Sequence, residues 1–376
     1  MALAVLDVSG DARERGRQHG EGAREQIHRS IAYYRGSFEH TAKLTWDKVV
    51  ELAPRWVPLV EEYSPGITEE VRGIAEGANV SFAEILALNG RGELSSGNPF
   101  QGGEYEDCSS YALLPPASGD GHVYCGQNWD WRSETAETVI VLRVTQPGKP
   151  TIVMQTEAGQ VGRHGANSAG IAVNANGLGA RFGTGLGIPQ PFIRRRILDS
   201  SDMQEALSAV FDSKQSICTN LLITHRDGFA IDIETTPARH GWMYPTDGLL
   251  VHTNHFVAFV PEQIAANYRP YSVNSLWRLP RLTEGLRKAR DARDSAGVRA
   301  AIADALRDHF AKPNSVCKHP YGSAAGFDRN ETIASSIVDL TTGEYRLASG
   351  QPCLSEHELL PWDLYAKSPT PAPVLA

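Results

Sequence analysis

Two short stretches of the sequence, Asp107-Cys108-Ser109-Ser110 and Gly126-Gln127-Asn128-Trp129-Asp130, decide how the chain folds and what it can do. They belong to two predicted strands, residues 110–114 and 123–128, which a glycine-rich turn signal separates. In an antiparallel hairpin the end of the second strand lies beside the start of the first. The pattern therefore predicts that Asp130 lies within reach of Cys108.

Cys108 follows an acidic, glycine-rich segment, residues 98–107, which has no periodicity and suits an exposed cleavage site. If the Asp107–Cys108 bond breaks, Cys108 gains an α-amino group that is weakly basic near neutral pH and can take the thiol proton. Before cleavage, the same thiol can attack the Asp107 carbonyl carbon in an N-to-S acyl shift. Asp130 would orient the new amine and stabilise its charged form. The alternatives are that Cys108 is a buried structural cysteine and that Asp130 caps a turn.

The remainder of the chain divides into a helical region and a strand-rich region. Helical apolar spacing predicts helices over residues 11–34, 46–63, 68–76 and 82–88, the last with Ser81 and Glu84 as a capping box. Apolar and β-branched runs predict strands over residues 139–145, 151–156, 169–175, 219–225, 230–235, 249–253, 332–340 and 343–348. Two further helices are predicted at about residues 201–211 and 295–310. Many antiparallel strands with a few long helices indicate an α+β layered fold.

Composition excludes several classes of protein. The chain has 376 residues, of which 41% are hydrophobic and 21% charged, and its net charge of −8 argues against nucleic-acid binding. The apolar run that begins at Met1 is too short for a signal peptide, and no stretch approaches the ~20 apolar residues of a membrane helix. A cytoplasmic location without membrane contact is therefore predicted. The five cysteines are scattered and odd in number, which argues against a disulfide framework and a structural zinc site.

The two opening stretches and four further motifs resemble the acyl-CoA:6-aminopenicillanic acid acyltransferase family of the N-terminal-nucleophile superfamily. These four motifs are residues 14–20 (ERGRQHG), 73–78 (GIAEGA), 87–94 (ALNGRGEL) and 250–256 (LVHTNHF). The resemblance implies a four-layer αββα sandwich of antiparallel sheets. It also implies that residues 1–107 remain as a separate helical chain after cleavage and that residues 108–376 form the catalytic domain. One precursor would then give an α/β heterodimer or a higher oligomer.

The resemblance also implies roles for particular residues. Asn254 would donate a hydrogen bond to the oxyanion, a task that suits a neutral amide. Asn176 would be a second donor, although Asn174 competes with it for this role, and an Asn-Gly pair suits a turn equally well. Arg329 would be the cation that lowers the pKa of the nucleophilic thiol.

At the cleavage site the chain departs from the penicillin acyltransferase, which has Gly before its Cys and Thr after it. Here these positions hold Asp107 and Ser109, and the Ser109 hydroxyl can still assist cleavage. The predicted reaction is hydrolysis of a linear small-molecule amide, such as an N-acyl amine or a peptide-like amide, through an acyl-thioester on Cys108. No metal and no organic cofactor is predicted. The alternative is transfer of the acyl group to an amine acceptor, with a coenzyme A thioester as co-substrate.

A metal hydrolase is the main enzymatic alternative. His252 and His255 offer two imidazoles, and Asp130, Asp232 and Glu234 offer carboxylates. The two histidines flank a strand end, however, and would not share a face easily.

Two other interpretations do not use Cys108 as a nucleophile. Cys108 could be inert in a binding module, and the Gly-rich residues 177–187 do not open a helix after a strand, so they do not predict a dinucleotide site. Four further histidines are predicted to be surface or packing residues: His164, His225, His240 and His319.

Overall fold

The structure, a computed structural model, describes residues 3–95, 107–180, 182, 185–321 and 326–366, except the side chains of Ser95 and Asp328. The strands are β1 (Ala4–Ser9), β2 (Asp107–Leu113), β3 (Tyr124–Arg132), β4 (Val139–Thr145), β5 (Ile152–Glu157), β6 (His164–Asn167), β7 (Ile171–Gly177), β8 (Thr219–His225), β9 (Phe229–Thr235), β10 (Gly241–Met243), β11 (Leu249–His252), β12 (Asn330–Asp339), β13 (Glu344–Ser349) and β14 (Glu358–Leu359). The α-helices are α1 (Ala12–Gly22), α2 (Arg24–Thr41), α3 (Trp46–Leu52), α4 (Val57–Tyr63), α5 (Pro65–Ala78), α6 (Phe82–Asn89), α7 (Arg91–Ser95), α8 (Gln190–Leu198), α9 (Met203–Phe211), α10 (Glu262–Ala265), α11 (Ser275–Leu286) and α12 (Ser295–Leu306).

The strands form two sheets. Within the described residues, sheet A has eight strands in the order β1-β4-β5-β6-β7-β8-β9-β10, and sheet B has six in the order β11-β2-β3-β12-β13-β14. The β1–β4 pair is parallel, whereas the pairs on either side of β2, with β11 and with β3, are antiparallel. The strand that carries Cys108 is therefore flanked by partners on both sides.

Side chains alternate between the two faces of a strand, and both faces of each sheet are buried here. The two sheets face each other through a shared apolar layer that includes Cys108, Ala112, Cys125, Trp129, Val141, Val153, Ala172, Leu222 and Ala334. The other face of sheet A packs on helices α2 to α9. The other face of sheet B packs on α11 and α12. The layers therefore run helix, sheet, sheet, helix, and the predicted four-layer αββα sandwich is confirmed.

The helical N-terminal segment is confirmed as well. The Ser81 hydroxyl accepts the Glu84 N–H, and the Glu84 carboxylate accepts the Ser81 N–H, which is the predicted capping box at the start of α6. These helices share one apolar core with sheet A, and β1 adds a strand to the edge of that sheet. Residues 4–95 thus contribute a layer of the sandwich, while the division of the chain at residue 107 remains a prediction.

Seven elements of the described residues were absent from the sequence prediction: β6, β10, β14, α7, α8, α10 and α11. The predicted strand at residues 110–114 begins earlier, at Asp107, and the strand predicted at 123–128 continues to Arg132. Among the described residues, no helix has both the length and the apolar character that crossing a membrane requires. The cytoplasmic location remains a prediction.

Candidate active site

Cys108 is the second residue of β2, and its side chain is completely buried. Alternation along the strand turns Cys108 and Ser110 toward sheet A, and it turns Asp107 and Ser109 toward helix α11. The strand runs across the Asp107–Cys108 bond. The predicted cleavage site therefore has the thiol on one face of the sheet and the Asp107 carboxylate on the other.

The main-chain nitrogen of Cys108 is bonded to the residue that the sequence predicts as an oxyanion donor. The Cys108 N–H donates to Asn254 Oδ1 at 2.8 Å. The Arg278 guanidinium donates to the same Oδ1 at 2.8 Å, to the Cys108 carbonyl oxygen at 2.7 Å and to Ser109 Oγ at 2.9 Å. The side chain of Arg278 is fully buried. One arginine thus fixes both the cysteine main chain and the Asn254 amide.

Asn254 lies just beyond the end of β11 and is held from two further directions. Its N–H donates to Ser275 Oγ at 2.7 Å, and its Nδ2 donates to the Gly177 carbonyl oxygen at 3.0 Å. Thr253 Oγ1 in turn donates to the Ser275 carbonyl oxygen at 3.1 Å. Because these bonds orient the amide plane, Oδ1 faces the Cys108 nitrogen and Nδ2 faces the opposite sheet.

Asn176 comes from that opposite sheet, on β7. Its Nδ2 donates to Ser110 Oγ at 3.1 Å and to the Thr253 carbonyl oxygen at 2.9 Å. Its Oδ1 is buried and has no hydrogen-bond partner among the described residues. The competing residue, Asn174, interacts instead with Cys125, whose thiol it contacts by a side-chain hydrogen bond. Of the two asparagines, the structure therefore brings Asn176 to the elements around Cys108.

The Asp107 carboxylate sits in a positively charged pocket. Lys318 donates to its Oδ2, Tyr271 donates to its Oδ1 at 2.9 Å, and Arg278 lies 3.5 Å from Oδ1. Burial alone would raise the pKa of Asp107, but the charges of Lys318 and Arg278 hold the pKa well below its ordinary value. The residue before the predicted cleavage site is therefore ionised and anchored.

Asp130 lies directly opposite Asp107 in the β2–β3 register, whereas Trp129 lies opposite Cys108. Its Oδ1 accepts a hydrogen bond from Thr332 Oγ1 at 2.6 Å, and its Oδ2 has no partner among the described residues. Burial raises the pKa of Asp130 to about 7, even though Arg278 and Lys318 act in the opposite direction. The described contacts direct the Cys108 N–H to Asn254 rather than to Asp130.

Arg329 does not occupy the position that the sequence suggests for it. Its side chain is exposed, and its main chain bonds to Gly326 and Ser133. Arg278 is the guanidinium beside Cys108, and the sequence did not indicate it. A signal was present: the buried face of α11 consists of Ser275, Arg278, Leu282 and Leu286. A charged residue thus stands in an apolar stripe at helical spacing.

The histidines of the alternative metal site have different partners. His252 Nε2 lies 3.0 Å from Glu234 Oε1 and 3.9 Å from Asp232 Oδ1. Burial alone would lower the pKa of His252, but the two carboxylates have the larger combined effect and raise it to about 9. His255 Nδ1 bonds to Ser275 Oγ at 2.7 Å instead. His252 therefore belongs to a buried ion cluster, and His255 supports the Asn254 segment.

A small cavity of about 60 Å³ adjoins this site. It shares Gly177 with the Asn254 hydrogen bond. Its lining combines polar side chains with apolar surface: Asn89, Arg91, Gly92, Glu93, Gln160, Arg163, Gly177, Gln190, Pro191, Arg194, Ile217, Cys218 and Thr219. Burial raises the pKa of Glu93 to about 7. The cavity therefore meets the candidate site at Gly177, and Cys108 is not among its lining residues.

Comparison with known proteins agrees with the motifs. The chain is 28% identical, over 92% of both lengths, to the acyl-coenzyme A:6-aminopenicillanic-acid-acyltransferase 40 kDa form of Emericella nidulans. Among solved structures it is similar to a conjugated bile acid hydrolase variant from Clostridium perfringens, with 14% identity, a TM-score of 0.44, and coverage of 64% of this chain and 89% of that one. It is also similar to penicillin V acylase from Agrobacterium tumefaciens, with 14% identity, a TM-score of 0.40, and coverage of 64% and 83%.

The family profile described as acyl-coenzyme A:6-aminopenicillanic acid acyl-transferase matches residues 117–353, which is well over half of the chain. The match confirms the family suggested by the sequence motifs, and with it the prediction of an enzyme that acts on amides. The chain belongs to the acyl-coenzyme A:6-aminopenicillanic acid acyl-transferase family.

Proposed function

We propose that this chain is a self-cleaving amidohydrolase whose nucleophile is Cys108. The observation that carries the proposal is the hydrogen bond from the Cys108 N–H to Asn254 Oδ1 at 2.8 Å. That nitrogen would become the free amine after cleavage. The amide that holds it is the residue that the family resemblance assigns to oxyanion binding.

The first step is cleavage of the chain. The Cys108 Sγ attacks the Asp107 carbonyl carbon, the C–N bond breaks, and the thiol proton passes to the departing nitrogen. Water then hydrolyses the thioester, which leaves a carboxyl group on Asp107 and restores the thiol. Arg278 and Lys318 hold the groups on both sides of this bond in place, which supports reaction at that bond. Asp130, whose pKa of about 7 lies near neutral pH, is suited to pass the proton.

The second step is catalysis by the new N-terminus. The Cys108 amine takes the thiol proton, and the thiolate attacks the amide carbonyl of the substrate. Asn254 and Asn176 stabilise the oxyanion through their amide groups. The amine then protonates the leaving nitrogen, which gives an acyl-thioester, and afterwards it activates water for hydrolysis. Asp130 stabilises the charged form of the amine.

The substrate we propose is a small, linear amide with a polar portion. The cavity beside Gly177 supports the polar portion, since arginines, glutamines and Glu93 contribute to its lining. The α/β pair of chains would remain associated, because the N-terminal helices share a core with sheet A.

Acyl transfer is the alternative function, and the Emericella nidulans relative, an acyltransferase by name, favours it. Both reactions share the acyl-thioester on Cys108 and differ in whether water or an amine accepts the acyl group. A coenzyme A thioester could supply that group in the transfer reaction.

Mass spectrometry of the purified full chain tests cleavage. We expect two fragments, residues 1–107 and 108–376, from the wild type and one intact chain from Cys108→Ala. Cys125→Ala is the matched control, because Cys125 is equally buried on the neighbouring strand and faces the same apolar layer. Cleavage that persists in Cys108→Ala would contradict the proposal.

The cleaved protein is then incubated with a panel of amides and followed by intact mass. We expect an acyl adduct on the fragment that begins with Cys108, and its decay rate with and without an added amine separates hydrolysis from transfer. If every amide left the mass of that fragment unchanged, the proposed substrate class would be wrong.

A further inference from the structure

Four side chains with metal-binding chemistry lie together near the cleavage site: His309, Cys317, His319 and Cys353. Their ligand atoms all lie within 4.8 Å of one another. The residues come from three places along the chain, namely the segment after α12, the loop that carries Lys318 and the turn after β13. The sequence contains no Cys-x-x-Cys pair that would indicate such a site. For this reason no zinc site was predicted, and His319 was predicted to be a surface or packing residue.

The distances suit one ion at the centre of the group. His319 Nε2 lies 3.0 Å from His309 Nε2, 3.6 Å from Cys317 Sγ and 3.4 Å from Cys353 Sγ. In a tetrahedral zinc site, bond lengths of ~2.0–2.1 Å to nitrogen and ~2.3 Å to sulfur place the ligand atoms roughly 3.3–3.8 Å apart. Small movements would therefore bring all four ligands to a common centre.

Hydrogen bonding alone does not explain this arrangement. The nitrogen His319 Nε2 has three polar neighbours at the distances just given. A neutral imidazole nitrogen carries either one proton or one lone pair, so it can satisfy one strong partner and not three. A metal ion between the four groups uses one lone pair from each of them and removes the conflict.

We propose that His309, Cys317, His319 and Cys353 bind one Zn²⁺ in a closed, tetrahedral site. On binding, the two thiols release their protons to solvent, and Zn²⁺ is ligated by two thiolates and two neutral imidazoles. The two thiolate charges cancel the charge of the ion. The site as a whole is therefore neutral, which suits the buried position of Cys317. Because all four positions belong to the protein, the site is structural rather than catalytic. Two sulfur and two nitrogen ligands favour zinc over the harder divalent ions.

The proposed zinc site is coupled to the cleavage site through Lys318, which lies between two of the ligands in sequence. The Lys318 ammonium donates to Asp107, and its N–H donates to Thr332 Oγ1 at 2.9 Å. Thr332 Oγ1 in turn donates to Asp130. An ion bound by Cys317 and His319 would fix this loop and therefore the position of the ammonium group.

The test uses the full chain, purified under thiol reductant without chelators. We expect one zinc per chain by inductively coupled plasma mass spectrometry. After chelation and reconstitution with Co²⁺ alone, we expect the visible absorption of tetrahedral cobalt together with a thiolate charge-transfer band. Protein that binds neither ion overturns the proposal, and so does a Cys317–Cys353 disulfide detected by peptide mapping of the reduced preparation.

Variants identify the ligands. Cys353→Ser and His309→Ala are each expected to weaken Co²⁺ binding at least tenfold and to change the cobalt spectrum. His40→Ala is the matched control, because His40 is exposed as His309 is. Since His309 is exposed, its substitution should leave the fold intact, and the test does not depend on the buried cysteines. An unchanged spectrum in both ligand variants would mean that the metal is bound elsewhere and would refute the site. Because the readout is metal binding, its outcome is independent of whether Cys108 is the nucleophile.

Discussion

Lys318 and Asp107 form a buried ion pair at the start of β2, with side chains that are 7% and 6% exposed. The ammonium group belongs to the loop before β12, and the carboxylate belongs to the residue before the proposed cleavage site. Removing one partner of such a pair leaves an uncompensated buried charge, which is far more costly than the loss of a surface ion pair. The pair is therefore a point at which stability and cleavage can be measured together.

We expect Lys318→Met to make the protein more sensitive to acid. The folded-state pKa of Asp107 is lowered, so its ionised form stabilises the fold above the unfolded pKa of ~3.9, and this contribution is lost as the pH falls through the folded value. Without Lys318 the folded pKa rises, and acid unfolding should begin at a higher pH. Circular dichroism of the Cys108→Ala chain, which stays intact, measures the midpoint. Adding Asp107→Asn should recover much of the lost stability at neutral pH, and no recovery would mean that Lys318 acts elsewhere.

Arg278→Lys is expected to reduce the rate of cleavage about tenfold or more. A lysine cannot reach the Cys108 carbonyl, Ser109 and Asn254 together, because it lacks the planar fork of the guanidinium group. Time-resolved gels of newly synthesised chain measure the rate. Arg281→Lys on the same helix is the control, since Arg281 is exposed and pairs with Asp308. Equal rates in the two variants would show that Arg278 has no part in positioning Cys108.

Asp130→Asn is expected to change how stability depends on pH. Burial raises the folded pKa of Asp130 from 3.8 to about 7, so the folded state binds a proton that the unfolded state has lost. Stability should therefore fall as the pH rises from about 4 to 7, by up to ~4 kcal/mol at full ionisation. Urea unfolding of the Cys108→Ala chain at several pH values should show this slope, and the isosteric Asn variant should lack it. A slope that persists in Asp130→Asn would assign it to another group.

Asn176→Ala is expected to lower kcat/KM by about 10²–10³, the cost of losing one oxyanion donor. Asn174→Ala is the matched control, because Asn174 lies on the same face of β7 and contacts Cys125 instead. Its kcat/KM should stay within a few-fold of the wild type on any amide that acylates Cys108. If the two variants behaved alike, Asn176 would have only a structural role.

The strand pattern around Cys108 could be predicted from the sequence because it depends on local signals. Turn residues and β-branched runs predicted β4 and β8 with the bounds that the structure has, and the hairpin argument placed Asp130 opposite the start of β2. These correct predictions all depend on residues that are close in sequence, as the paired residues of a hairpin are.

Arg278 and Lys318 could not be predicted in the same way. Helix α11 contains Pro280, which weakens the helical pattern, and Arg278 reaches across 170 residues to the Cys108 carbonyl. Lys318 lies in a loop whose position depends on packing between layers. The cluster of His309 and Cys353 likewise arises from tertiary contact. Contacts of this kind depend on how the sheets and helices pack together, and local sequence periodicity carries no information about that packing.

The register that sets Asp107 against Asp130 would give the proposed chain cleavage a direction. While the chain is intact, Asp107 shares the charges of Arg278 and Lys318 with Asp130 and raises the pKa of Asp130 by its own charge. If the bond is cut as proposed and residue 107 withdraws, Asp130 loses this neighbouring negative charge, and its pKa is expected to fall. The carboxylate that could shuttle a proton during scission would then become a fixed anchor for the new ammonium group. Under the proposed cleavage, the same carboxyl group would thus carry a proton before scission and serve as a counterion afterwards.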